Sequence, residues 1–215
     1  MRVYVTGADE WRDLPDWPPV STGQTLYLQT GDRLGPEAPA SDTRSVGFTY
    51  DPTDPTPTIG GRLLSQGMAG RRDDSALAGR TDVLTFTGPV LTEPLEVLGV
   101  PVVELAHASD NPHADLFVRI SEVDRKGRSR NVSDGFVRLD PAASAGVARL
   151  PLDAIAHRFR AGSRIRLLVA GSSHPRFERN LGTGEDPATS SATAPSRRTV
   201  TLAGGASSLV LPVTG

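Results

Sequence analysis

Glycine and proline interrupt this chain every few residues, so no segment longer than about a dozen residues keeps a helical period. It holds 22 Gly and 18 Pro among 215 residues, well above the roughly 12% usual for these two types together. Between them lie short runs rich in Val, Ile, Leu and Thr: "RVYVT", "TLYLQ", "VGFTY", "VLTFT", "LEVLG", "VPVVELAHA", "ADLFVRIS", "GFVRL", "VARLPL", "RIRLLVA", "RTVTLA" and "SSLVLPV". Runs of this kind separated by turn residues predict strands. In "RIRLLVA", Ile165, Leu167 and Val169 share one face and Arg166 and Leu168 the other, which predicts a strand with one buried side. The same rule turns Leu116, Val118 and Ile120 of "ADLFVRI" inward. "PLDAIAHRF" is the best helical candidate, with Pro151 placed to open one turn. Many short strands with no intervening helices predict an all-β fold. The expected architecture is a two-sheet β-sandwich of the jelly-roll, galactose-binding-domain-like kind, with little helix and two long loops.

Those loops are residues 50–82, "YDPTDPTPTIGGRLLSQGMAGRRDDSALAGRTD", and residues 180–198, "NLGTGEDPATSSATAPSRR". Loops of such length in a compact domain are functional, cover another surface, or are disordered. The first mixes prolines with apolar Ile59, Leu63, Leu64 and Met68, which predicts that it packs on something. The second is small and polar throughout, with disorder and function equally open.

A chain of this length forming one domain buries roughly 70% of its unfolded surface, so the absence of cysteine costs little stability. It also excludes disulfides, thiolate metal sites and a Cys nucleophile. A net charge of -2, with acidic and basic residues interspersed, gives no field for nucleic acid. No apolar run approaches a membrane span, and "MRVYVTGADEW" lacks the apolar region of a signal peptide, so a cytoplasmic protein is expected. Strand-like alternation begins at the second residue, as it would at a domain boundary.

The stretch "AGSSHPRFERN" (170–180) places Ser172, Ser173 and His174 together, but the chain has no G-x-S-x-G pentapeptide. Pro175 biases His174 toward extended geometry, which turns it away from Ser173. A strand exit is expected instead, with Ser hydroxyls on turn backbone groups and Arg176 and Arg179 on surface carboxylates such as Glu178 or Glu185. His107, His113, His157 and His174 show no metal spacing and are expected in surface or turn positions. "SDNPHAD" contains Asp110 and Asp115 but lacks the pattern of a calcium loop, and an Asx-type turn is the stronger expectation. No catalytic residue, metal or cofactor is expected in the chain. Trp11 and Trp17 are candidates for a sugar-stacking platform or for core or interface anchors.

Taken in order, several segments resemble the C-terminal domain of the X-Pro dipeptidyl-peptidase and cocaine esterase family of serine hydrolases, the CocE/NonD group. They are "VTGADEWRDLPDWPP", "YDPTDPTPTIGG", "RTDVLTFTGPVLTEPLEVLG", "ADLFVRISEVDRKGRSRNVSDGFVRL", "FRAGSRIRLLVAGSSHPRFERNLGTG" and "SLVLPV". The resemblance implies a jelly roll that follows an α/β-hydrolase domain, with the Ser-Asp-His triad lying wholly in the domain this chain does not include. It also implies residues 1–215 as one accessory domain, the hydrolase domain as partner, and a role in shaping its pocket or an oligomer contact. Ile59, Leu63, Leu64 and Met68 are then the candidate interface or pocket-lining residues. A free-standing carbohydrate- or ligand-binding sandwich is the alternative, and a self-contained hydrolase using Ser173 is the third class.

Overall fold

The chain is described by a computed structural model covering residues 1–214. Its strands are β1 (Arg2–Val5), β2 (Glu10–Asp13), β3 (Thr22–Gln29), β4 (Arg33–Gly35), β5 (Val46–Tyr50), β6 (Val83–Thr87), β7 (Leu95–Gly99) and β8 (Val102–Ser109). They continue with β9 (Asp115–Val123), β10 (Ser129–Arg138), β11 (Ala145–Pro151), β12 (Ile155–Phe159), β13 (Arg164–Ala170), β14 (Ser196–Val200) and β15 (Ser208–Val213). Two short 3-10 turns, Ser75–Gly79 and Ala203–Gly205, are the helical segments among the described residues. The fold is all-β.

The main sheet runs β10-β9-β13-β6-β4-β3-β15-β8-β14-β5, with β11 added on β8 and the β7–β12 pair joined at β15. Its two halves meet only through short β4, which pairs antiparallel with β3 and touches β6 at a single parallel pair, Arg33 with Thr87. The sheet folds over at this narrow join. Leu116, Val118, Ile120, Ile165, Leu167 and Val169 from one half enter the same core as Leu26, Leu28, Val103, Leu105, Leu209 and Leu211 from the other. Facing apolar surfaces of this kind make a β-sandwich, and their burial is the main stabilising term.

Two expectations change on the outer face. All nine residues of β9 are buried, and Leu168 of β13 is buried as well, packed with Phe117, Leu77, Val83 and Ala170. Both strands are therefore covered on both sides. Residues 50–82 lie across the outer face and supply a second, smaller core, which alternation within β13 alone does not reveal.

"PLDAIAHRF" forms no helix. Pro151 ends β11, and Ile155–Phe159 is β12, paired antiparallel with β7 from Ile155 opposite Gly99 to Phe159 opposite Leu95. Ile155, His157 and Phe159 point inward while Ala156 and Arg158 are half-exposed, so a period of two in a paired strand overrides the weak helical signal. This also corrects the surface placement of the histidines, since His107 and His157 are buried. The second loop is shorter than expected, because Ser196–Val200 is β14. It is tied at its start by the Asn180 amide on Asp115 (2.8 Å) and across its base by the Ala194 N–H on the Leu181 carbonyl (2.8 Å).

Candidate functional site

The loop from 50 to 82 begins as an extended segment laid beside the exit of β13. The Thr58 N–H donates to the His174 carbonyl (2.7 Å) and the His174 N–H to the Thr56 carbonyl (2.9 Å). Gly60 and Gly61 then reverse the chain with φ of +63° and +87°. A Cβ on Gly61 would stand 2.9 Å from both the Arg176 guanidinium and the Asp134 carboxylate, so glycine is required for space as well as for φ. Gly61 and Gly70 exchange backbone hydrogen bonds of 2.8 Å each and close the neck of a smaller loop. Asn131 of β10 clamps the same neck, accepting from the Arg72 N–H (2.6 Å) and donating to the Gly70 carbonyl (3.1 Å).

Residues 62–69 project from this pinned neck. Leu64 is fully exposed and Met68 is 55% exposed, while Leu63 is half-buried. Ile59, just before the neck, packs inward with the second core. The four apolar candidates therefore divide: Ile59 anchors the loop, and Leu64 and Met68 face outward.

Beneath the neck lies a buried charge cluster. Arg119, wholly inaccessible on β9, donates to the Ile59 carbonyl (2.6 Å) and to Asp134 (3.1 Å), with Asp74 at 3.8 Å. Asp74 accepts from the Ser121 hydroxyl (2.7 Å). Arg176 bonds the other oxygen of Asp134 and lies 3.8 Å from Asp153, which Arg62 of the loop also reaches. Burial pushes the Asp153 carboxyl up, a trend Arg62 opposes. Pairing of Arg176 with surface Glu178 or Glu185 is thus replaced by a buried partner, and Arg179 donates to the Pro52 carbonyl (3.1 Å). Arg179 thus holds the long loop by its side chain, and Arg176 by its backbone N–H, which donates to the Thr58 hydroxyl (3.1 Å).

The serines serve the same end. Ser172 donates to the Thr56 carbonyl (3.2 Å), and Ser173, 1% exposed, bonds the Thr58 hydroxyl (3.0 Å). His174 is exposed, and neither serine has an imidazole partner. A local acyl-transfer pair is absent. In the "SDNPHAD" segment the Asn111 side chain accepts the His113 N–H (2.9 Å), the expected Asx turn. Asp115 is buried against Arg138 (3.0 Å). Among the described residues no group of three or more His, Asp or Glu side chains is placed to hold a metal ion, and no helix is long and apolar enough to cross a membrane.

Trp11 is 60% exposed on β2, with Tyr4 of β1 edge-on at 5.4 Å and the Arg2 guanidinium 5.5 Å from its ring centre. Trp17 sits half-buried in the proline-rich corner that follows. The Arg2 guanidinium already occupies space over Trp11.

Sequence reasoning missed Arg119, Asp134, Asn131 and the inward role of Arg176. A signal for Arg119 existed: it shares a strand face with Phe117 and Ser121 inside a continuous apolar run, and both of those neighbours are buried. The Gly60–Gly61 pair marked the close approach.

The fold and this braced loop define an all-β sandwich that carries exposed Leu64 and Met68 on a pinned loop. Residues 1–211 match the family described as the X-Pro dipeptidyl-peptidase C-terminal non-catalytic domain, and the chain belongs to that family. It is 32% identical over 205 residues to the cocaine esterase of Rhodococcus sp. (strain MB1 Bresler), which covers 86% of this chain and 36% of that protein. Its structure superposes on an aminopeptidase from a marine sediment Thaumarchaeota archaeon with a TM-score of 0.83 at 26% identity, covering all of this chain and 40% of that one. An alpha-amino acid ester hydrolase shares the fold with a TM-score of 0.86 at 24% identity, over 99% of this chain and 41% of that one. The chain spans well under half the length of each of these proteins.

Proposed function

We propose that this chain is the accessory domain of a serine hydrolase acting on esters or amides, and that it seats on the α/β-hydrolase domain of the same polypeptide through residues 62–69. The observation that carries this is the outward presentation of Leu64 and Met68 from a neck pinned by Gly61, Gly70 and Asn131. A flexible loop could collapse such side chains onto its own surface, whereas this neck holds them out. Burying both against a partner contributes roughly 1.5–3 kcal/mol each. The share of each relative left uncovered supplies the partner: more than half of each of those chains lies outside this domain.

In this role the domain positions its partner and donates no proton. Held at the rim of the hydrolase pocket, it affects rate through geometry. The test is Leu64→Asp with Met68→Asp in the two-domain polypeptide. The expected result is a lower unfolding temperature of the hydrolase domain together with a changed KM for the acyl substrate. Unchanged values of both would remove the proposal.

A further inference from the structure

On the side of the neck formed by Arg71, a cleft of about 390 Å³ opens between the β9–β10 hairpin and the start of the β12–β13 turn. Its lining includes Arg71, Arg125, Lys126, Arg128, Arg130 and Arg160, against only two carboxylates, Glu122 and Asp124. Those carboxylates are already engaged. Glu122 is 5% exposed and takes the Arg71 guanidinium on one oxygen and the Arg160 backbone N–H (2.9 Å) on the other. Asp124 accepts from the Lys126 and Arg128 backbone N–H groups (2.8 and 3.0 Å) and pairs with the Arg128 guanidinium (3.0 Å). Arg160 turns its own guanidinium toward Asp9 (3.1 Å) and the Gly7 carbonyl (3.0 Å). Among the described residues, Arg125, Lys126 and Arg130 have no ion-pair partner; Arg125 reaches only the Ala161 carbonyl (3.2 Å).

We infer that this cleft binds a small multivalent oxyanion of the phosphate-ester or pyrophosphate class. Six cations against two carboxylates line one concavity, three of the six without an ion-pair partner, and give it a positive field that a bound anion relieves. Two of the three are guanidinium forks, which suit phosphate oxygens bidentately, and Lys126 adds a compact point charge. The volume equals about a dozen liquid waters, more than a single tetrahedral anion fills, which favours a ligand with two or more anionic groups. Its concave shape favours a small molecule over a flat acidic protein surface.

The experiment is an NMR and calorimetric titration of the full chain with pyrophosphate, inorganic phosphate and sodium chloride at matched ionic strength. Saturable binding of pyrophosphate, tighter than phosphate, with amide shifts confined to residues 71, 124–130 and 160–163, is expected. Lys126→Gln with Arg130→Gln, both exposed positions, should weaken binding about tenfold or more while amides elsewhere keep their shifts. Three results would overturn the inference: shifts that rise linearly and equally with chloride, an affinity untouched by the double variant, or binding of an acidic peptide with none of pyrophosphate.

Discussion

Arg119 and Asp134 form an ion pair with both side chains almost wholly out of contact with solvent, Nη2 to Oδ2 at 3.1 Å, directly under the neck of the long loop. The pair joins β9 to β10, and Arg119 continues to the Ile59 carbonyl of the loop itself. A buried pair is weak evidence of net stability, but breaking one side is costly because the other is stranded. Arg119→Met is therefore expected to lose roughly 3–5 kcal/mol in urea unfolding. Arg149→Ala, which removes an exposed 3.6 Å contact with Glu104, should change stability by about 1 kcal/mol or less. Equal effects of the two would contradict the role given to the buried cluster.

Gly61 and Gly67 separate backbone strain from crowding. Both have positive φ, +87° and +82°, but a Cβ at Gly67 meets open space while one at Gly61 meets Arg176 and Asp134. Gly67→Ala should cost about 1–3 kcal/mol from φ alone. Gly61→Ala should cost more and raise proteolysis within residues 62–69, measured by limited digestion.

Acid stability should reflect Glu122. Burial opposes its ionisation, yet the His157 imidazole, the Arg160 backbone N–H and the Arg71 guanidinium together bring its pKa down to about 2. The folded pKa lies below the unfolded one, so this stabilisation is complete above the unfolded value near 4.5 and is lost as pH falls toward 2. It amounts to about 3 kcal/mol. Burial lowers the His157 pKa, which also weakens the fold on acidification, starting from the ordinary histidine range. Glu122→Gln should flatten the stability profile between pH 4.5 and about 2 and enlarge the histidine limb, because the Glu122 carboxylate partly offsets the lowering of the His157 pKa, as read by denaturant midpoints across pH.

Ser173→Ala tests what the Ser-Ser-His stretch does. The substitution removes one of the two partners of the Thr58 hydroxyl, which keeps the Arg176 backbone N–H, and should cost about 1 kcal/mol. Turnover of a nitrophenyl ester by the chain alone should equal the buffer blank before and after the change.

Most strands were legible because their side chains alternate against the main core: Ile165, Leu167 and Val169 turn inward as their period of two requires. The opposite face of the same strands was not legible. Leu168 and Arg119 are buried by residues brought from 50–82, and local alternation carries no record of so distant a cover. For that reason Arg176 looked like a surface cation although it is bonded to Asp134. The segment at 151–159 misled for a related reason: its helical period is short, and its strand exists through pairing with β7, about sixty residues earlier in sequence. The apolar content of the long loop did show in the sequence, but not which of its residues face in. Ile59 and Leu64 differ by position relative to the Gly60–Gly61 reversal, and only the fold of the neck separates them.

The most direct test is hydrogen exchange at the amides of residues 62–69, compared between this chain alone and a polypeptide that joins it to the proposed hydrolase domain. A seat for that domain predicts fast exchange in the isolated chain and marked protection of the Leu64 and Met68 segment in the joined protein. Exchange at the same rate in both would contradict it.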